Sequence, residues 1–140
     1  MSTSILKTVE VVAAVIESAA GILCVQRGVS KLKYISEKWE FPGGKIEDGE
    51  DHSEALIREI SEELQVSIAV GSKIITVKHS YPDFHLTMHA YHCQLLNSEQ
   101  SVVLTEHQNN LWLKQGDKKF RNLDWAAADL PIVDRIRGVN

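Results

Sequence analysis

One acidic stretch, Gly43 to Val66, constrains the fold of this chain more than any other part of its sequence. It reads GGKIEDGEDHSEALIREISEELQV and holds eight acidic residues in twenty-four. Asp51 and Glu54 have the spacing of a capping box, in which the N-cap and the third helical residue each bond the other's backbone N–H. The stretch therefore predicts a helix from about His52 to Leu64.

The predicted helix has an apolar face and a separate acidic face. At 100° per residue, the apolar face consists of Leu56, Ile57, Ile60 and Leu64. Glu59, Glu62 and Glu63 are spaced i, i+3 and i+4, so their like charges repel on another face. A solvated surface explains many acidic helices. A divalent cation would instead turn this repulsion into coordination, since Mg²⁺ takes oxygen ligands.

The residues that flank this helix suit phosphate chemistry. Gly43 and Gly44 allow a close backbone approach to a metal or a phosphate. Arg58 follows Glu50 by eight positions, and pairing of the two would fix the loop against the helix. Glycines, metal-binding carboxylates and a positioned arginine together indicate phosphate-ester hydrolysis.

The stretch resembles the signature of the Nudix hydrolases, which is Gly, five residues, Glu, seven residues, Arg-Glu-apolar-x-Glu-Glu-x-Gly-apolar. The matching positions are Gly44, Glu50, Arg58, Glu59, Ile60, Glu62, Glu63 and Val66. Gln65 departs from the signature, because it stands where the family has the glycine that ends the helix in a left-handed conformation. We expect local strain of order 1 kcal/mol, or a shifted helix end, without loss of a metal ligand.

Other segments resemble the MutT-like branch, which includes CTP pyrophosphohydrolases and enzymes that cleave oxidised nucleotides. These segments are WEFPGGKIE, the N-terminal strand pair ending in Arg27, YPDFH and ADLP. The implied fold is an α/β/α sandwich with a mixed β-sheet between helices, as a single domain over residues 1–140.

The resemblance implies Mg²⁺, with Mn²⁺ as a substitute. The implied metal ligands are Glu59, Glu62, Glu63 and the Gly44 carbonyl. The implied catalytic residues are Glu59, Glu63, Arg58, Glu50 and Glu106. Either Glu59 or Glu63 would be the general base for water attack on phosphorus. Taken alone, Glu106 would be an ordinary surface acid.

The resemblance also implies a nucleotide-binding set, which is Arg27, Lys45, Tyr81 and Asp129. Arg27 and Lys45 would meet phosphates, although both also suit plain surface positions. Tyr81, with Phe84, would stack on a base or close the core. Asp129 lies where MutT-like enzymes read the base, and it could also serve as N-cap for the helix that Pro131 opens.

The implied activity is hydrolysis of a nucleoside triphosphate, of the CTP, dCTP or 8-oxo-dGTP type, to the monophosphate and pyrophosphate. The alternatives are another nucleoside diphosphate derivative, such as ADP-ribose or a dinucleoside polyphosphate, and a sensing domain without activity. Retention of every signature carboxylate argues against the sensing domain. An ionised Asp129 only accepts hydrogen bonds, which favours cytosine and guanine over adenine and uracil.

Apolar and β-branched runs elsewhere predict an α+β fold with a mixed sheet. The predicted strands cover residues 9–18, 22–27, 74–79, 85–96 and 109–114, with a hairpin around SYPDF. His85 and His89 on this hairpin would stand about 13 Å apart. The hairpin histidines, which also include His79 and His92, are therefore expected to be packing or rim residues.

Composition excludes several classes of function. The chain has 140 residues, 44% of them apolar, and a net charge of -4. Its scattered Lys and Arg argue against a nucleic-acid surface, and no run approaches the roughly 20 apolar residues of a membrane span. The N-terminus lacks signal-peptide features. Cys24 and Cys93 are expected to be free thiols in a cytoplasmic monomer or homodimer.

Overall fold

A seven-stranded sheet lies at the centre of the computed structural model, which describes residues 6–137. The strands are β1 (Thr8–Ser18), β2 (Gly21–Gln26), β3 (Trp39–Glu40), β4 (Gly43–Lys45), β5 (Ile68–Ser80), β6 (His85–Leu95) and β7 (Asn109–Leu113). The helices are α1 (His52–Leu64), α2 (Lys119–Asn122) and α3 (Leu130–Ile136), with a 3₁₀ turn at Ala127–Asp129. The expected domain of residues 1–140 extends beyond the described range by residues 1–5 and 138–140.

The sheet is mixed, as predicted, and β1 is its central strand. β1 runs parallel to β6 from the Thr8–His85 pair to the Glu17–Gln94 pair. The other pairings are antiparallel, and the strand order is β3-β2-β1-β6-β5 with β4 on β1 and β7 on β2. Because β4 pairs with the middle of β1, the Gly43–Gly44 backbone is held at the centre of the fold.

Both faces of the sheet are covered, which confirms the predicted α/β/α sandwich. The core under α1 contains Val12 and Ile16 of β1 together with Leu56, Ile60 and Leu64 of the helix. The opposite core packs α3 and the segment before it against the other face of the sheet. Residues 12–16 of β1 are all buried, as expected for a strand covered on both sides.

Helix α1 has the predicted capping box but a rotated buried face. The Asp51 carboxylate accepts from the Glu54 N–H at 2.8 Å, and Glu54 accepts from the Asp51 N–H at 3.0 Å. The prediction that Ile57 lies on the buried face is wrong, because Ile57 is 47% exposed. Ala55 is buried instead. The helix turns the side that carries Glu59 and Glu63 toward the protein, which leaves Ile57 at the rim.

Strand β5 is longer than the predicted 74–79. It continues back to Ile68 through register irregularities between Val70 and Ile75. Gly71 lies in this irregular part, where a Cβ would stand only 3.1 Å from the His92 carbonyl oxygen. The irregularity interrupts the alternation on which a strand prediction depends. None of the described helices is long and apolar enough to cross a bilayer.

Candidate active site

The C-terminal turn of α1 is held by a distant segment, residues 102–105. The Val103 N–H donates to the Leu64 carbonyl at 3.0 Å, and the Thr105 N–H donates to the Glu63 carbonyl at 3.1 Å. The Thr105 hydroxyl donates to the same turn. These bonds satisfy carbonyls that a helix end leaves without partners. They also bring the next two residues, Glu106 and His107, beside the acidic face of α1.

Gln65 ends α1 in the left-handed conformation that the sequence predicts for a glycine. Its φ is 56° and its ψ is 37°, and its N–H donates to the Ser61 carbonyl at 3.1 Å. The helix ends at Leu64, as predicted, so the departure from the signature introduces local strain and leaves the helix end in place.

The two glycines of β4 allow α1 and β1 to approach the same short strand from two sides. A Cβ on Gly44 would overlap the carboxylate of Glu59, and a Cβ on Gly43 would overlap the carbonyl of Val12. Both positions therefore require the absence of a side chain. The Glu59 carboxylate lies directly against the Gly44 backbone as a result.

Arg58 joins the loop before α1 to the acidic face, and the predicted pairing with Glu50 is present. Its Nε lies 2.7 Å from Glu50 Oε2, and its Nη2 lies 2.9 Å from both Glu50 Oε1 and the Lys45 carbonyl. Its Nη1 lies 2.9 Å from Glu59 Oε1. Hydrogen bonding from Arg58, followed by the Glu47 backbone contact, lowers the pKa of Glu50. Arg58 thus orients Glu59 while holding the loop.

Glu63 is buried among other carboxylates. Its side chain is 12% exposed, and its Oε2 is buried without a hydrogen-bond partner in the described part of the chain. Burial, and then the charges of Glu59, Glu40 and Glu106, raise the pKa of Glu63 to about 9. An orphaned carboxylate oxygen among like charges fits a hard divalent cation, which would replace the repulsion by coordination.

The three glutamates proposed as ligands share one surface but do not all converge. Glu59 is 14% exposed and Glu63 is 12% exposed, whereas Glu62 is 60% exposed. Within residues 6–137, their oxygens do not all lie within 4.8 Å of one another. Glu62 is exposed enough to rotate toward the other two. An oxygen-only donor set of this kind suits Mg²⁺ or Mn²⁺.

Two partly buried residues of this site, Glu40 and His107, were missed from the sequence. His107 Nε2 lies 3.0 Å from Glu40 Oε2, and its Nδ1 lies 3.9 Å from Glu63 Oε2. Glu40 also pairs with Arg27 at 3.3 Å. The sequence signal for Glu40 was its own position, as a charged residue between the two aromatic residues of WEF. The place of His107 depends on the contact of residues 102–105 with α1, which no local pattern indicates.

A single cavity of about 1180 Å³ runs from the acidic face of α1 to the 3₁₀ turn. Its lining includes most of the residues singled out from the sequence: Arg27, Gly44, Lys45, Glu59, Glu62, Glu63, Tyr81, Glu106 and Asp129. Glu50 and Arg58 lie outside this lining, which agrees with a supporting position. The volume is sufficient for a nucleotide, since small-ligand pockets measure about 300–1000 Å³.

Asp129 lies at the far end of this cavity and is 4% exposed. Its Oδ2 accepts from the Phe41 N–H at 2.9 Å. The N-cap interpretation is wrong, because the side chain makes no capping hydrogen bond to α3. Burial, and then the charge of Glu40, raise the pKa of Asp129 well above its usual value. Relative to the unfolded chain, folding therefore shifts Asp129 toward its protonated form.

Tyr81 supports the turn that carries Asp129. Its hydroxyl accepts from the Ala128 N–H at 3.1 Å. Its ring is 6% exposed and stacks on Tyr34 with centroids 5.0 Å apart. One face of the Tyr81 ring is thus already covered by protein. The neighbouring Phe84 also lines the cavity.

Comparison with known proteins places this geometry in a family. The NUDIX domain family matches residues 11–135. The chain is 32% identical to the CTP pyrophosphohydrolase of Escherichia coli over 92% of its own length and 91% of that protein. It is also 32% identical to an 8-oxo-dGTP diphosphatase of Proteus vulgaris, over 75% of this chain and 89% of that one.

A solved structure agrees with these relatives. The MutT protein of a methicillin-resistant Staphylococcus aureus, a Nudix hydrolase, is 40% identical, with a TM-score of 0.71 over 96% of this chain and 98% of that one. The match covers the acidic helix, the glycine strand and the sheet that joins them. The chain therefore belongs to the NUDIX domain family and is a MutT-like Nudix hydrolase.

Proposed function

We propose that this protein hydrolyses a nucleoside triphosphate with a cytosine or guanine-type base, such as CTP, dCTP or 8-oxo-dGTP, to the monophosphate and pyrophosphate. The observation that carries the proposal is the single cavity that joins the acidic face of α1 to the buried Asp129. One end suits a metal-bound polyphosphate and the other suits a base. The names of the two curated relatives support the same substrate classes.

The metal end of the cavity uses carboxylates and one backbone carbonyl. Glu59, Glu62, Glu63 and the Gly44 carbonyl would hold Mg²⁺, with Mn²⁺ as a substitute. When bound, the ion would stabilise charge on the attacking and leaving oxygens.

Glu63 is the better of the two general-base candidates. Arg58 already engages the Glu59 carboxylate at 2.9 Å, whereas Glu63 Oε2 has no hydrogen-bond partner. With a cation bound beside it to lower its pKa, one carboxylate oxygen of Glu63 would hold the ion and the other would take a proton from the attacking water as the phosphoanhydride bond breaks. Glu106 borders the same cavity and would add negative charge or a further ligand.

The cations of the cavity would bind the polyphosphate. Arg27 borders the cavity, and its side chain is 43% exposed. One nitrogen of its guanidinium pairs with Glu40, which leaves the other nitrogens for phosphate oxygens. Lys45 is exposed beside Gly44. Because both carry positive charge next to the carboxylates, they would keep a tetra-anionic substrate from being repelled.

Asp129 would read the base, with Tyr81 holding its turn. Base donors that face Asp129 would hold it in the ionised form, which only accepts hydrogen bonds. The amino group of cytosine and the N1–H and amino group of guanine are such donors, whereas adenine and uracil would each place at least one acceptor against the carboxylate. A mismatched buried polar group costs about 1–3 kcal/mol, or roughly tenfold to a hundredfold in selectivity.

The test is turnover of CTP, dCTP, 8-oxo-dGTP, ATP, UTP, ADP-ribose and a dinucleoside polyphosphate with Mg²⁺, read as pyrophosphate and monophosphate release. We expect cytosine or guanine-type triphosphates to be preferred, and Asp129→Asn to flatten the preference with a modest loss of rate. Preferred cleavage of ADP-ribose or the dinucleoside compound would favour the alternative substrate class. Absence of turnover on the whole panel would favour nucleotide sensing.

A cytoplasmic location belongs to the same proposal. Cys24 and Cys93 are both buried free thiols. Burial raises the pKa of each to about 12, so both are poor nucleophiles. Free thiols suit the reducing compartment in which nucleotide pools are found.

A further inference from the structure

A second group of metal-ligating side chains lies outside the catalytic cavity, at the start of α1. Glu10 of β1, His52 at the first position of α1 and His89 of β6 bring one ligand atom each to within 4.8 Å of one another. The two imidazole rings stack with centroids 4.2 Å apart. None of these three residues lines the cavity described above.

Both imidazoles are oriented by hydroxyl groups. His52 Nδ1 lies 2.7 Å from the Tyr91 hydroxyl, and His89 Nδ1 lies 3.0 Å from the Thr76 hydroxyl. A hydroxyl partner on Nδ1 fixes the orientation of each ring and the direction of its other nitrogen, as hydrogen-bond partners do for histidines in metal centres. Each ring is thereby left with Nε2 as its available ligand atom.

His89 Nε2 is an orphan that needs an explanation. The atom is buried and has no hydrogen-bond partner among residues 6–137. Glu10 Oε1 stands 3.6 Å away, which is too long for a hydrogen bond. It is close to the separation of two ligands on a tetrahedral ion, about 3.3–3.4 Å for bonds of about 2.0–2.1 Å. Burial, and then the charges of His52 and Lys73, lower the pKa of His89, so its ring stays neutral as a ligand must.

We propose that Glu10, His52 and His89 form a binding site for a divalent transition-metal ion of the Zn²⁺ type, with water as the fourth ligand. Two imidazoles and one carboxylate are donors for Zn²⁺ and related ions, whereas Mg²⁺ prefers oxygen alone. The three residues belong to β1, α1 and β6. A bound ion would therefore clamp the start of the catalytic helix to the sheet and stabilise the fold.

The experiment uses the tag-free, EDTA-treated full chain with Zn²⁺ or Co²⁺ as the only added ligand. Calorimetry counts the Zn²⁺ equivalents, and the Co²⁺ absorption spectrum distinguishes a tetrahedral site from the octahedral oxygen site, which absorbs weakly. At a hundredfold excess over Kd, Zn²⁺ should raise the Tm by about 9 °C. The same titration is repeated with the double variant Glu59→Gln/Glu62→Gln. This variant loses metal binding at the acidic helix, so the Zn²⁺ equivalents that remain belong to the proposed second site.

The variants separate this site from the catalytic one. His89→Ala and Glu10→Gln should abolish or weaken the tetrahedral Co²⁺ signal at least tenfold while leaving Mg²⁺-dependent turnover unchanged. Glu10 is 55% exposed, so Glu10→Gln keeps the test valid if His89→Ala fails to fold. His92→Ala is the matched control, since His92 is a half-exposed histidine on the same strand.

Persistence of the signal in His89→Ala and Glu10→Gln, or its loss in the double glutamine variant alone, would overturn the proposal. The result does not depend on the proposed substrate, because metal binding and Tm are measured without nucleotide.

Discussion

Replacement of Gln65 by glycine should stabilise the protein, because Gln65 ends α1 with φ 56° and ψ 37°. The left-handed conformation destabilises a residue with a Cβ by about 1–2 kcal/mol, and glycine is free of this strain. The side chain of Gln65 is exposed and makes no hydrogen bond in the described structure, so truncation removes no hydrogen bond.

The gain is partly offset in the unfolded chain. Glycine adds backbone entropy to the unfolded state, which costs about 0.4–1 kcal/mol. The net increase in the free energy of unfolding is therefore about 0.5–1 kcal/mol. For a chain of this length, that corresponds to a Tm about 2–4 °C higher. Turnover should change less than about twofold, since Gln65 contributes no ligand.

The assay is thermal and urea unfolding of the wild type, Gln65→Gly, Gln65→Asn and Gln65→Ala. Gln65→Ala keeps the Cβ while it removes the rest of the side chain, so its stability should stay near the wild-type value. Gln65→Asn should lie between the two, because Asn tolerates this conformation better than most residues. A Tm for Gln65→Gly at or below that of Gln65→Ala would refute the strain argument.

Three further substitutions test the site. Glu62→Gln should lower turnover by about 100-fold or more while metal-free stability holds or rises, and near wild-type turnover would exclude Glu62 as a ligand. Arg58→Lys should lower both turnover and Tm, because lysine cannot make the two parallel hydrogen bonds of the guanidinium to Glu50. The exposed Arg121→Lys is the control, and a rise in KM alone for Arg58→Lys would indicate a substrate contact. The pKa of Asp129 is raised in the folded protein, so above about pH 4 the folded protein binds more protons than the unfolded chain. The free energy of unfolding therefore falls as the pH rises from about 4 toward the raised pKa. Asp129→Asn should therefore raise Tm at pH 7, with the gain vanishing toward pH 4, in melts recorded across that range.

Local patterns predicted the elements of the fold well, because their causes are local. The capping box at Asp51 and the β-branched apolar run of β1 depend on neighbours a few residues away, and both appear as predicted. The Arg58–Glu50 pair was also predictable, since one loop and one helix supply both residues. His107 was not, because its position depends on a contact between residues 102–105 and the end of α1 that spans about forty residues of chain.

The wrong prediction for Ile57 has a different cause, which is the burial of charged residues on the same helix. An amphipathic pattern assumes that charged residues face water, so it directed Glu59 and Glu63 outward and Ile57 inward. The structure does the reverse: the two acids are 14% and 12% exposed, and Ile57 is 47% exposed. Burying carboxylates costs free energy unless a ligand compensates it. The helix is therefore rotated in the direction that stability alone disfavours and for which a cation at its acidic face would compensate, so the failed local rule coincides with the candidate active site.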